Sequence, residues 1–256
     1  MSFANSKEKI KNSYPADFGT VFNQSIELFK KTWTQGLMMF VLLFASIIFV
    51  QFLLAMPIIA LVTSSNFIDT PSMNGYYALM GILLIVFVFF FIACIITLAN
   101  GLLGGLYVVY KKADHNEMFT TSDMFVLLKG NRIFKTFRVS ILQLLVILVS
   151  YLMCVFPIIY TSIPISYIIV IYAFNQDLSA TEIVKLAFAI GNKNWAQTFL
   201  LRLVTSFVSM LGIFLCGIGI FATFAIVLIP LYYVYKHAIG FDDQNELNSI
   251  GQSEEI

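Results

Sequence analysis

The hydrophobic positions of this chain fall into four long runs, at 37–62, 76–110, 139–174 and 198–235, separated by short polar segments. A helix needs about 20 apolar residues to cross the ~30 Å hydrocarbon layer of a bilayer. The first run predicts one crossing. The second is too long for one upright helix and too short for two, so we expect one long tilted helix that kinks at 100–105.

Prolines and glycines divide each of the last two runs. Pro157 splits the third, and the sequence Gly217-Ile218-Gly219 splits the fourth, which leaves pieces long enough for one crossing each. The pattern therefore predicts an all-α, polytopic membrane protein. Its six transmembrane helices are expected at 37–62, 76–108, 137–156, 158–175, 198–216 and 219–236.

The lysines and arginines mark one side of the predicted membrane. All 15 lie before the first crossing, between the pairs of crossings or at their inner ends, and the turns at 63–75, 157–164 and 216–219 contain none. Asp69 is the only charged residue expected outside. Because basic residues are retained on the cytoplasmic side, we expect a multi-pass protein of the bacterial inner (cytoplasmic) membrane with both termini cytoplasmic.

Composition supports a membrane protein and excludes a nucleic-acid binder. Hydrophobic residues make up 59% of the chain and charged residues 11%, whereas soluble domains carry about 25% charged residues. The net charge of +1 supplies no basic field for nucleic acid, so the lipid bilayer is the predicted partner. Residues 1–14 are expected to be a disordered N-terminus without a cleavable signal, and 240–256 an acidic, disordered cytoplasmic tail.

Three amphipathic segments, at 17–33, 122–129 and 179–190, each precede a pair of crossings. The last opens with Ser179-Ala180-Thr181-Glu182, a capping-box pattern, and we expect Ser122 to cap the second. Each segment ends in a basic, aromatic tag, at 30–33, 130–134 and 191–195. A helix in the headgroup plane buries its apolar face in the membrane. The layout predicts three cytoplasmic interfacial helices and a pseudo-threefold repeat within the six-helix domain at 15–239.

The last third of the chain resembles a known family. The motifs are Phe156-Pro157-Ile158-Ile159-Tyr160, the capped segment at 179–182, the tag at 191–195, Cys216-Gly217-Ile218-Gly219 and Tyr232-Tyr233-Val234-Tyr235. This order is similar to that of a group of bacterial integral membrane proteins of unknown activity, which resemble the membrane domain of glycerophosphoryl diester phosphodiesterases. The resemblance implies a six-helix membrane domain. It does not carry over the phosphodiesterase activity, because the catalytic domain of that enzyme is missing.

The chain offers few residues for catalysis or metal binding. Its three cysteines, Cys94, Cys154 and Cys216, lie inside apolar runs without metal-ligand spacing and are interpreted as packing residues. Its two histidines, His115 and His237, lie beside basic residues in the predicted cytoplasmic segments. No nucleophile elbow or phosphate loop is present. We therefore expect no enzyme activity, no cofactor and no metal.

Candidate lipid or cavity contacts lie at the polar positions within the runs. Gly101 and Gly105 have small-xxx-small spacing, which allows two helices to pack closely. The alternative is a helix broken at Asn100–Gly105 whose backbone lines a binding cavity. Gln51 and Gln143 need partners, for which a cross-helix amide contact is the ordinary solution.

Two arginines, Arg138 and Arg202, begin the third and fifth predicted crossings. We expect both side chains to reach back to the cytoplasmic surface. The alternative is a pair of cations that faces an inner cavity and binds an anionic headgroup.

Two functions fit these features. The first is a non-enzymatic structural or accessory component of the membrane, which organises lipid or holds a cytoplasmic or membrane protein partner. The alternative is a permease or flippase for a lipophilic or amphiphilic small molecule. The absence of an acidic residue or lysine deep in a predicted helix favours the first.

Overall fold

The computed structural model describes residues 2–65, 74–152, 155–214, 219 and 223–241. Several predicted features lie outside these residues. They are residues 66–73 of the turn at 63–75, Cys154, residues 216–218 of the turn at 216–219 (with Cys216), and the acidic tail after Phe241.

All regular elements within the described residues are helices, as predicted. The α-helices are α1 (Phe3–Asn12), α2 (Phe18–Ser65), α3 (Asn74–Asp114), α4 (Arg132–Leu152), α5 (Val155–Phe174), α6 (Ala180–Lys193), α7 (Trp195–Met210) and α8 (Ile229–Ala238). Short 3-10 helices cover Thr121–Leu128, Leu211–Phe214 and Phe224–Val227.

Four of these helical stretches are long and apolar enough to cross a membrane: Phe18–Pro57, Leu79–Asp114, Arg132–Leu152 and Trp195–Phe214. The other two predicted crossings correspond to the shorter apolar stretches Ile158–Phe174 and Phe224–Ala238. Each short stretch has a part that is buried by protein. Residues 167–172 of α5 and the hydrophobic residues 231–235 of α8 are each at most 4% exposed. An apolar helix can be buried in protein or in lipid, and hydropathy alone does not separate the two.

Helices α2 and α3 form a long hairpin that extends beyond what a bilayer requires. They contain 48 and 41 residues, and at about 1.5 Å per residue they measure about 72 and 61 Å. Between 79 and 92, α3 is exposed except for one stripe, made of Gly81, Leu84, Val88 and Phe91. A single stripe is the contact pattern of one neighbouring helix, and α2 packs along α3. The remaining apolar surface of this hairpin is available to lipid.

The first predicted interfacial segment is not a separate helix. Residues 18–33 continue without interruption into the first apolar run, within α2. Their buried stripe is Val21, Ser25, Leu28 and Thr32. The hydroxyls of Ser25 and Thr32 donate to the carbonyls four residues earlier, which satisfies them inside the protein.

The second segment is a 3-10 helix, Thr121–Leu128, and its predicted serine cap is wrong. Thr120 is the N-cap residue: its backbone N–H donates to the carboxylate of Asp123 at 2.8 Å. The hydroxyl of Ser122 instead accepts from Lys129 Nζ.

The third segment, α6, has the predicted capping box. The Ser179 backbone N–H donates to Glu182 Oε2 at 2.8 Å, and the Glu182 N–H donates to Ser179 Oγ at 3.4 Å. The predicted apolar face is also buried, at Ile183, Leu186, Ala187 and Ile190. Its cover is protein rather than headgroups, since α6 packs against α5 and Gly191 lies against Pro164.

The third run is divided into two helices, as predicted, but α5 begins at Val155, so residues 157–164 are helical rather than a turn. The Tyr160 hydroxyl donates to Asn192 Oδ1 at 2.8 Å, and the Trp195 indole N–H donates to the Tyr160 carbonyl at 2.9 Å. The charge pattern places Tyr160 near the outer face and the 191–195 tag at the cytoplasmic face, about 30 Å away. Residues in direct contact cannot lie on opposite faces, so Tyr160 and the 191–195 tag do not both lie at their predicted depths.

The predicted disordered N-terminus contains α1. Ser2 caps its start, and Ser6 and Ile10 bury one face. At its end, Lys193 Nζ donates to the carbonyl oxygens of Ile10, Lys11 and Ser13. The last carbonyls of a helix carry partial negative charge, so this ammonium group is well placed to hold α1 against α6.

We expect Lys193→Met to release α1 without unfolding the bundle, because it removes the donor to three carbonyls. Limited trypsin digestion should then cleave at Lys7, Lys9 or Lys11 faster than in the wild type. Lys185→Met, which changes an exposed lysine on the same helix, is the control. Equal cleavage rates in all three proteins would contradict this role of Lys193.

Candidate functional site: polar contacts inside the bundle

Asn100 and Gln143 form a buried amide contact between α3 and α4. Asn100 is 4% exposed, and its Nδ2 donates to Gln143 Oε1 at 2.7 Å and to Ser140 Oγ at 2.9 Å. The Ser140 hydroxyl in turn donates to the Thr136 carbonyl. The cross-helix contact expected for Gln143 is therefore present. Gln51 is not part of it and lies exposed on α2.

The glycines of α3 form a groove for the 3-10 helix Thr121–Leu128. A Cβ atom on Gly101 would overlap Leu128, one on Gly104 would overlap Leu127, and one on Gly105 would overlap the backbone of Met124. Helix α3 is continuous from Asn74 to Asp114, so the broken-helix alternative is wrong. The small residues permit close packing, as predicted. Their partner is a short connecting segment rather than a second spanning helix.

Arg202 points into the bundle instead of towards the surface. Its Nη1 donates to Ser166 Oγ of α5 at 2.6 Å, and its guanidinium interacts electrostatically with Tyr107 and Tyr167. The hydroxyl of Tyr167 is hydrogen bonded to that of Thr198 at 2.7 Å. These side chains of α3, α5 and α7 form a polar cluster between helices.

Arg138, unlike Arg202, does not point into the bundle. Its side chain is exposed on α4, beside the exposed rings of Phe134 and Phe137. Arg138 and Arg202 therefore do not face a common cavity, which contradicts the paired-cation alternative. The predicted surface position holds for Arg138 and fails for Arg202.

A carboxylate at the end of α3 is the main interior group that the sequence analysis missed. Asp114 accepts hydrogen bonds from Lys236 Nζ at 2.6 Å, the Tyr232 hydroxyl at 2.8 Å and the Tyr233 hydroxyl at 3.2 Å. The Lys236 and Asp114 side chains are only 25% and 14% exposed. This ion pair joins the cytoplasmic-facing end predicted for α3 to α8.

Tyrosines and a phenylalanine surround this end of the bundle. The Tyr235 hydroxyl accepts from Asn175 Nδ2 at 2.6 Å, and Phe241 packs against Phe174 and Tyr232. The signal in the sequence was the order Tyr-Tyr-Val-Tyr-Lys in α8. Tyrosines followed by a cation at a helix end can act as interface anchors or as donors to a buried acid.

The side chains that could bind a metal ion are dispersed in the described part of the chain. Within the described part of the chain, no three His, Cys, Asp or Glu side chains are close enough to hold a metal ion. His115 Nδ1 lies 2.8 Å from the Lys111 carbonyl oxygen, His237 is exposed, and the Cys94 thiol faces outward from α3.

Comparisons with protein families, characterised proteins and solved structures find no match for this chain.

The Asn100–Gln143 contact should stabilise the bundle through mutual coupling. We expect Asn100→Leu and Gln143→Leu each to lower the free energy of unfolding, and the double variant to lose less than the sum by about 1 kcal/mol. Unfolding in mixed detergent micelles with increasing dodecyl sulfate measures these values. Gln51→Leu, at the exposed glutamine of α2, is the control and should cost nothing. Fully additive losses would contradict the coupling.

Proposed function

We propose that this protein is a non-enzymatic integral membrane protein that serves as a structural or accessory component of the bacterial inner membrane. The observation that carries the proposal is the Asn100 contact. Asn100 and Gln143, two of the polar residues predicted to line a cavity, are hydrogen bonded to each other, and the space beside the neighbouring glycines is filled by the 3-10 helix Thr121–Leu128. Polar groups that bond to one another inside a bundle stabilise the fold rather than bind a substrate.

The proposed arrangement has both termini in the cytoplasm. The four long apolar stretches give an even number of crossings, as do the six expected from the sequence, and either number returns the chain to its starting side. A threefold layout has support from three capped segments: Asp17 accepts from the Thr20 N–H, Asp123 from the Thr120 N–H, and Glu182 from the Ser179 N–H. We propose six crossings, because four would place the Ser179 segment on the outer side, and with six crossings these capped segments face the cytoplasm.

The proposed partners are the bilayer and a protein on the cytoplasmic side. The outer surfaces of α2 and α3 provide an apolar exterior for lipid, with Phe49, Phe52 and Phe90 each at least 60% exposed. At the other end, α1 exposes Lys7, Glu8 and Lys11. A charged helix on an apolar body is suited to contact a soluble or peripheral protein.

Reconstitution into vesicles tests this proposal against transport. Vesicles that contain the protein and fluorescent phospholipids should show the same inner-leaflet protection from a membrane-impermeant quencher as protein-free vesicles. Protein-dependent loss of that protection would displace the accessory role.

A permease or flippase for an amphiphilic small molecule is the second candidate, and Arg202 is the observation that favours it. A guanidinium hydrogen bonded to Ser166 between apolar helices resembles the buried charges that mark substrate pathways in membrane proteins. In that case Arg202→Gln should abolish the lipid movement measured in the vesicles, whereas Arg132→Gln, at an exposed arginine, should retain it.

A further inference from the structure

A surface groove of about 650 Å³ lies where the start of α4 meets the loop before α6. Its lining includes Asn131, Phe134, Lys135, Arg138, Asp177 and Glu182. Helix α4 is one of the four stretches long enough to cross a membrane, so the groove lies at the inner boundary of the proposed apolar layer.

Arg138 is the cation at the apolar end of this groove. Further along the same exposed face of α4 lie Leu145 and Leu148, which are 50% and 47% exposed. Within the described residues, the Arg138 guanidinium makes no hydrogen bond or ion pair. A free guanidinium at the edge of a lipid-facing surface matches the depth and charge of a phospholipid phosphate.

The acidic residues lie at the other end of the groove. Lys135 Nζ donates to the Gln176 carbonyl, which brings the 175–179 loop beside α4 one turn before Arg138. Asp177 is exposed there, and Glu182 is held in the Ser179 capping box. Hydrogen bonds from Ser179 keep the pKa of the Glu182 carboxyl below its usual value, so this group stays ionised at neutral pH. Moving away from the apolar surface, the groove therefore changes from the Arg138 cation to the carboxylates of Asp177 and Glu182, and there the Lys135 ammonium group is bonded to the Gln176 carbonyl.

We infer that this groove binds a phospholipid headgroup in which a phosphate is followed by a terminal ammonium group. The phosphate would contact Arg138, and the ammonium group would contact Asp177 and Glu182, while the acyl chains lie along the apolar face of α4. The order of charges in the groove is complementary to that headgroup and unfavourable for one that ends in a neutral or anionic group. The inference deepens the proposed lipid-organising role and rests on it.

Native mass spectrometry of the detergent-purified protein tests this assignment with phosphatidylethanolamine, phosphatidylglycerol and phosphatidylcholine of identical acyl chains. Phosphatidylethanolamine should bind tightest. Arg138→Gln should weaken its binding about fivefold, the expected effect of one cation near a phosphate. Asp177→Asn should remove the preference for phosphatidylethanolamine over phosphatidylglycerol while retaining binding of both.

Arg132→Gln is the matched control, because Arg132 is exposed on the same helix and does not line the groove. An equal loss in this variant would overturn the assignment in favour of a general basic rim. Preference for phosphatidylglycerol would overturn the role of the carboxylates, and equal competition by free phosphoethanolamine would indicate a soluble ligand instead. The thermal unfolding midpoint of each variant verifies folding. If the expected lipid binding were not observed, the proposed accessory role would be unaffected, because the vesicle transport experiment tests that role separately.

Discussion

Replacing Gly105 with alanine will destabilise the protein by about 3 kcal/mol, the upper part of the range for overpacking a close contact. The added Cβ would overlap the backbone of Met124, which cannot move aside as a flexible side chain could. Relief requires the 3-10 helix Thr121–Leu128 to separate from α3. Unfolding in mixed detergent micelles should show a large loss of free energy, and Met124 should become accessible to oxidation.

Gly81→Ala is the matched control in the same helix. A Cβ atom on Gly81 has no neighbour within 4 Å, so alanine gains helix propensity without a clash. We expect this variant to be more stable than the wild type by about 0.5–1 kcal/mol. If Gly105→Ala were as stable as Gly81→Ala, the close packing between α3 and the 3-10 helix would be refuted.

Replacing Asp114 with alanine will cost about 3 kcal/mol, as expected when one partner of a mostly buried ion pair is removed. The change leaves the Lys236 ammonium group and the hydroxyls of Tyr232 and Tyr233 without their acceptor. Both tyrosines are buried, so the lost hydrogen bonds cannot all be replaced by water. The free energy of unfolding measures the loss, and tryptophan fluorescence provides a second readout.

A double-mutant cycle separates this pair from a general effect of charge. Asp114→Asn with Lys236→Met should lose less than the sum of the two single variants, because each single change leaves the other group unpaired. Glu117→Ala, at an exposed glutamate three residues after Asp114, should stay within about 0.5 kcal/mol of the wild type. A loss at Glu117 equal to that at Asp114 would contradict the ion pair.

The sequence predicted local structure well where a pattern has one physical meaning. The capping box at Ser179 and the buried face of α6 follow from side-chain spacing alone, and both are present. The Gln143 amide contact was predictable because a glutamine in an apolar run needs a partner. Gly101 and Gly105 predicted close packing because small residues four positions apart allow a neighbouring segment to approach the helix.

Sequence alone was insufficient where one hydrophobic pattern fits two different structural environments. Residues 167–172 of α5 and 231–235 of α8 are covered by protein, and hydropathy alone does not separate such a helix from one that lies in lipid. The amphipathic segment at 18–33 could lie in the headgroup plane or continue into the first apolar run, and no proline or glycine lies between Gly19 and Gly36 to end the helix.

Two side chains changed their expected roles for a related reason. Long side chains such as Lys193 and Arg202 can reach a surface or a neighbouring helix. Sequence position alone does not decide between a surface and a neighbouring helix. The hydrogen-bond acceptors decide it: Ser166 for Arg202, and the carbonyls of α1 for Lys193. Asp114 was missed because its partners lie more than 100 residues away in α8.

The most direct test of the membrane assignment is the accessibility of single cysteines in an otherwise cysteine-free protein. A membrane-impermeant maleimide should label Glu117→Cys only from the cytoplasmic side. It should label Phe49→Cys and Phe87→Cys from neither side, since these exposed apolar positions of α2 and α3 are assigned to lipid. Labelling of Glu117→Cys from the outside, or of both phenylalanine positions from water, would contradict the account.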